Sequence, residues 1–206
     1  MVMKYQPSHC GNICMWSSFG RVYAGAMAVT AVSPESEELR ILLNSWLIPN
    51  DTRQPTETLP QLMRDARGWT DSFPSVAVPV AGERTEFLRL RDDLRADVAD
   101  RSCARLDGWL TDRPQAVGLA AEGSLVFRGR SGCVEELLRL AVRVVTQGRW
   151  RRLRMCPDCR WVFFDQSRNN SRTWCSMTAG ETGRACGSIA KVQRMRGRRA
   201  GLPQTS

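Results

Sequence analysis

Apolar side chains recur at helical spacing along much of this chain. Leu39, Leu42, Leu43, Trp46 and Leu47 make one face of a helix that opens at Ser33-Pro34-Glu35. There Ser supplies an N-cap, Pro the first helical position and acids the first turn. Pro49-Asn50-Asp51 ends it, and a short helix over 60–69 follows, with Leu62, Met63 and Ala66 facing inward. Residues 70–82, with Pro74, Pro79 and Gly82, read as a connection that holds a short extended piece over 76–80. Phe87, Leu90, Leu94 and Val98 then predict a longer helix over 83–99, its Arg and Asp residues on other faces. Ser102 caps a further helix to residue 110, with Leu106, Trp109 and Leu110 buried. Two β-rich runs, 116–121 and 125–128, flank Glu122-Gly123-Ser124 and predict a hairpin. Residues 132–146 return to helical spacing through Val134, Leu137, Leu138, Ala141, Val142 and Val145, with Gly148 as the stop.

Beyond residue 148 the pattern changes. Residues 161–164 form a short aromatic strand, residues 165–173 are polar with Asn169-Asn170 as a turn, and residues 185–198 predict a basic helix. In that helix Ile189, Val192 and Met195 share one face, with Lys191, Arg194 and Arg198 elsewhere. Residues 1–32 have no steady period, and residues 200–206 read as a frayed tail. The fold class expected is α+β. A mostly helical N-terminal domain over 33–148, with one small hairpin, precedes a small module over 149–199 that ends in the basic helix.

Charge sharpens this division. The chain of 206 residues carries a formal net charge of +9. Between Arg143 and Arg199 there are 14 basic and 3 acidic side chains, so the excess lies in the C-terminal quarter and the body is near neutral. Such asymmetry predicts a polyanionic partner held by one end of the molecule. Residues 13–32 are the most apolar stretch, but Arg21 breaks them and no uninterrupted run reaches membrane-spanning length. No membrane association is expected.

The module also holds four of the eight cysteines. Cys156-Pro-Asp-Cys159 is a CxxC knuckle; fifteen residues separate Cys159 from Cys175, and ten separate Cys175 from Cys186. A CxxC turn brings two thiolates to the separation that tetrahedral Zn²⁺ requires, and two further cysteines close the shell. About 50 residues bury little core, and structural zinc supplies on the order of 10–16 kcal/mol to small fingers. Cysteines spaced for metal, with the other four scattered, fit a reducing cytoplasm. His9-Cys10-x₃-Cys14 is a weak second set of donors. Asp158 and Asp165 are the carboxylates near the knuckle, so a structural zinc is expected rather than a catalytic one. In the body there is no paired carboxylate, phosphate-cradling Gly loop or Ser/His set, and no enzyme is expected. Trp46, Trp69 and Trp109 are candidate linings of a pocket, with plain core as the alternative; Trp161, Phe163, Phe164 and Trp174 are core or base-stacking residues.

These motifs resemble the CGNR zinc-finger family. The matching residues are Cys156-Pro-Asp-Cys159-Arg-Trp-Val-Phe-Phe-Asp165, Ser167-Arg-Asn-Asn-Ser-Arg-Thr-Trp-Cys-Ser-Met177, Cys186-Gly187 and Ala190-Lys191. Leu42-Leu-Asn-Ser-Trp-Leu47 and Asn50-Asp-Thr-Arg53 look like the opening of the ABATE domain that precedes this finger in the family. The resemblance spans roughly residues 36–199. It implies a stress-induced transcription regulator with Cys156, Cys159, Cys175 and Cys186 as zinc ligands and the following basic helix on DNA. Two departures stand out. The signature tetrapeptide is here Cys186-Gly187-Ser188-Ile189, and residues 178–185 lengthen the spacer, with Arg184 as a candidate replacement for the signature Arg.

The function expected is therefore zinc-dependent DNA binding in the cytoplasm, with RNA or the ribosome as the alternative target. Nucleic-acid contacts are assigned to Arg168, Arg172, Arg184, Lys191, Arg194, Arg196, Arg198 and Arg199. The N-terminal domain is expected to sense a small-molecule effector or to mediate self-association.

Overall fold

A computed structural model describes residues 32–49, 51–178 and 185–199, with the side chain of Arg199 left out. The segment with His9, Cys10 and Cys14, the linker bearing Arg184, and the tail lie outside these residues. Among the described residues there are seven α-helices and three two-stranded antiparallel sheets, an α+β fold.

Helix α1 (Pro34–Leu43) begins as expected: the Ser33 hydroxyl accepts the Ser36 amide at 3.2 Å. It ends sooner than its apolar spacing suggests. Asn44 caps it, and Trp46–Leu47 form strand β1, paired with β2 (Thr56–Glu57). Tertiary contacts override helical spacing here. The Asn44 amide and the Ser45 hydroxyl are claimed by distant elements, and the Ile48 amide donates to the Cys159 carbonyl at 3.0 Å, which requires extended backbone.

The single helix expected over 60–69 is two, α2 (Leu59–Leu62) and α3 (Ala66–Ser72). Asp65 breaks it by accepting the Gly68 amide at 3.0 Å as a new N-cap. Ala66 is consequently exposed, while Met63 and Trp69 are buried. Residues 76–80 form no strand. Helix α4 (Arg84–Asp100) buries its predicted stripe, and α5 (Ala104–Asp112) buries Leu106 and Trp109. The hairpin β3 (Ala116–Leu119) and β4 (Leu125–Arg128) turns at Gly123, whose φ of 83° favours glycine. Helix α6 (Cys133–Thr146) turns Leu140 and Val144 inward and leaves Val145 exposed, contrary to the expected face.

Helices α1, α4 and α6 pack on one another around Leu39, Leu42, Phe87, Leu94, Leu137 and Leu138, all fully buried. Trp69 and Trp109 belong to this core rather than to a pocket. After a 3₁₀ turn (Trp150–Arg152), strands β5 (Leu153–Met155) and β6 (Val162–Phe164) form a second hairpin. Its alternation divides two environments. Leu153, Val162 and Phe164 join the body core, while Phe163 faces the cluster formed by Cys156, Cys159 and Cys186. Helix α7 (Cys186–Arg199) completes the chain. No helix among the described residues is long and apolar enough to cross a membrane.

Candidate metal centre

The four cysteines come from four local structures. Cys156 follows β5, and its amide donates to the Trp161 carbonyl at 2.9 Å while its carbonyl accepts the Arg160 amide at 2.9 Å. These bonds fold the CxxC segment into a tight turn, closed by Arg160 in the left-handed region at φ 61°. Cys159 lies within the turn, Cys175 on the loop that follows β6, and Cys186 at the first position of α7. The Gly187 amide donates to the Ser176 carbonyl at 2.9 Å, which seats the start of α7 against the Cys175 loop. A side chain at position 187 would fall 3.2 Å from that carbonyl and from Trp174 Cβ, and would overlap Met177 Sδ. A Cβ there would require the Met177 side chain to move aside and the Ser176 carbonyl to yield.

The ligand sulfurs all lie within 4.8 Å of one another. Cys159 and Cys175 Sγ are 3.5 Å apart, and Cys175 and Cys186 Sγ 3.7 Å. A Zn–S bond of about 2.3 Å in tetrahedral geometry sets S–S edges near ~3.8 Å, so the cluster has the dimensions of a zinc tetrathiolate. Cys156, Cys159 and Cys186 are buried, and Cys175 is half-buried. All four predicted ligands are brought together, Cys186 included despite the long spacer, and they form a metal-binding cluster that fits Zn²⁺.

Without a cation, four crowded sulfurs cannot all be thiolates. Hydrogen bonds from Cys159 and Cys175 hold the Cys156 thiol far below its ordinary range. Its proximity in turn drives Cys159 and Cys175 up, and burial followed by the neighbouring thiolate charge raises Cys186. A divalent cation at the centre of the four sulfurs would favour the thiolate form of each and displace their protons.

The supports of this centre reach into the body. The Asn44 side chain bonds both backbone groups of Val162, donating to its carbonyl at 2.8 Å and accepting its amide at 2.7 Å. Arg95, buried on α4, donates to the Leu43 carbonyl and, at 3.1 Å, to the Arg160 carbonyl in the knuckle. Burial, then the charge of Arg91, lowers its pKa to about 10, and its guanidinium lies 5.0 Å from the Trp46 ring centroid. Arg53 binds Asp158 of the knuckle at 2.7 Å. None of these supports was predicted as part of the site. Each lies more than sixty residues from the finger residue it holds; Asn44 and Arg53 fell in noted motifs, but not as supports of the metal, and Arg95 fell in none.

On the other side, buried Asp165 organises the polar loop. Its carboxylate accepts the Ser167 amide at 2.8 Å and the Arg172 amide at 2.7 Å. Burial pushes this acid up, but the hydrogen bonds and the nearby Arg154 charge outweigh it and hold it below the usual carboxylate range.

The predicted nucleic-acid contacts fall in two places. Lys191, Arg194, Arg196 and Arg198 are exposed along α7, and Arg199 is its last residue. Arg168 is exposed on the polar loop. Arg172 on the same loop donates to the carbonyls of Trp174, at 2.8 Å, and Cys175, and lies 5.0 Å from the Phe163 ring, so it braces the third ligand. Phe163 and Phe164 are buried, as core; Trp161 and Trp174 are half-buried beside the cluster.

No curated protein matches the chain at a significant level. Residues 152–199, which run from the second hairpin to the end of α7 and include all four cysteines, match the family model of the CGNR zinc finger.

Proposed function

We propose that this protein is a zinc-dependent nucleic-acid-binding protein, a DNA-binding transcription regulator in which the metal is structural and α7 lies along the phosphate backbone. The observation that carries this reading is α7 itself. It starts on a metal ligand, contains no acidic residue, and exposes Lys191, Arg194, Arg196 and Arg198. A rigid cationic helix anchored at one end suits a polyanionic duplex, and arginine forks suit phosphate oxygens. A structural role for the zinc is supported by the donor set. Four thiolates leave no open position, and both neighbouring carboxylates are committed, Asp158 to Arg53 and Asp165 to backbone amides. An enzymatic role therefore has no support at this centre.

For the body, an effector-sensing role has one feature in its favour. A cleft of about 550 Å³ lies between the β3–β4 hairpin, α1 and α6, lined by Glu35, Phe127, Glu136, Arg139 and Arg143 among others. The ABATE resemblance and the regulatory role belong to this same proposal.

The test is a titration of the zinc-loaded protein with duplex DNA over a range of salt. If about six cationic side chains neutralise phosphates, log K falls against log salt with a slope near ~−5. A flat dependence would refute the reading. Single-stranded RNA as competitor separates the alternative target, because stacking on Trp161 and Trp174 would favour unpaired bases.

A further inference from the structure

The charge distribution along the sequence confines the excess positive charge to the C-terminal quarter, but the fold brings Arg101 of the body to the edge of the finger that carries Arg151 and Arg168. Helix α4 is capped by Arg101, exposed and left-handed at φ 56°. The indole N–H of Trp150 donates to the next carbonyl, that of Ser102, at 2.9 Å, which holds the α4–α5 turn against the start of the second hairpin. Arg151 is exposed, while its carbonyl accepts Arg154 Nη1 and Asn170 Nδ2, each at 2.9 Å. Arg154 also donates to the Asn170 carbonyl at 3.1 Å, so the loop with exposed Arg168 is fastened to the same edge.

Little local negative charge offsets this gathering. Among the described residues Arg101, Arg151 and Arg168 form no ion pair, and Asp97 and Asp100 next to Arg101 are both held by Arg105. Asp165 is buried and spends its oxygens on backbone amides. Burial and then the charge of Arg101 lower the pKa of Arg154. Uncompensated cations held together by backbone hydrogen bonds cost stability unless an anion joins them.

We propose that Arg101, Arg151 and Arg168 form a second phosphate-binding surface, through which the body as well as α7 grips the nucleic-acid backbone. This rests on the nucleic-acid reading above. The ligand chemistry is the phosphodiester, which duplex DNA and single-stranded RNA both present. Side-chain hydrogen bonds hold none of these three guanidinium groups, so replacing them leaves the backbone fastenings intact.

The experiment uses the full zinc-loaded chain and measures affinity against salt for a random-sequence duplex and a single-stranded RNA. The Arg101→Gln/Arg151→Gln variant is expected to lose two phosphate contacts. Its slope becomes shallower by roughly 1.8 on duplex DNA or roughly 1.4 on single-stranded RNA. Two duplexes of unrelated sequence are weakened equally, and the Arg101→Lys/Arg151→Lys variant keeps the slope. A wild-type slope in the Gln variant, while Arg194→Gln/Arg198→Gln lowers it, overturns the proposal and leaves the α7 reading in place. Absence of binding by the wild type to either probe at low salt overturns both. Should the double variant lose zinc, Arg168→Gln decides, with a reduction of roughly 0.9 on the duplex expected and an unchanged slope contradicting it.

Discussion

Replacing Asn44 by Ala tests whether the finger is built into the body or only tethered to it. Asn44 is buried at the C-cap of α1, and its amide is the partner of both the N–H and the C=O of Val162, at 2.7 and 2.8 Å. Val162 is itself fully buried in the shared core. Removal of the amide leaves two buried backbone groups without a partner, each at a cost of about 1–3 kcal/mol. The summed loss is about 2–6 kcal/mol, far more than a surface substitution gives. For a chain of this size that lowers Tm by at least about 4 °C. The assay is chemical denaturation of the zinc-loaded protein, followed by tryptophan fluorescence and by zinc release to a colorimetric chelator. Because the hairpin bridges the core and the cysteines, Asn44→Ala should shift both signals to lower denaturant. A loss below about 0.5 kcal/mol, or zinc release unchanged while the body destabilises, would refute the account of Asn44 as the clamp between them.

Other consequences can be measured directly. Zinc binding should release protons, because crowding of the sulfurs raises the Cys159, Cys175 and Cys186 thiols above their ordinary range and the metal takes thiolates. Calorimetry in buffers of different ionisation enthalpy counts them, and zinc affinity should rise with pH in step. A zinc affinity independent of pH would contradict it. Arg95→Ala leaves the Leu43 and Arg160 carbonyls without their guanidinium partner and uncovers Trp46, so a loss of about 2–4 kcal/mol is expected in urea unfolding. Gly187→Ala should weaken zinc retention in chelator competition, since its Cβ meets the Ser176 carbonyl at 3.2 Å; unchanged retention would show that the loop yields freely.

The apolar pattern was most legible where local order decides. The start of α1, the stripe of α4, the Gly123 turn and the extent of α7 follow from caps, spacing and turn residues. It was least legible where distant groups decide. Trp46 and Leu47 continue a helical stripe, yet the chain extends there because Asn44 and Ile48 bond the finger. Arg91 and Arg95 are charged yet buried on α4, Arg91 on Ser45 and Glu57 and Arg95 on two carbonyls. No periodicity can mark a charged residue as interior, because its burial depends on partners tens of residues away. The metal site was the opposite case. Ligand chemistry is written in residue type and spacing, so all four cysteines were found, whereas Asn44, Arg53 and Arg95 behind them were not.

The central claim is that four thiolates, including one after a lengthened spacer, hold one metal ion. Zinc content per chain, measured by elemental analysis after mild chelator dialysis, tests it most directly in the wild type and in Cys156→Ser, Cys175→Ser and Cys186→Ser. One equivalent in the wild type and a clear loss in every variant is expected, because each serine removes one wall of a closed tetrahedron. Full retention of zinc by Cys186→Ser would contradict the four-cysteine centre, and with it the anchoring of α7 on the metal.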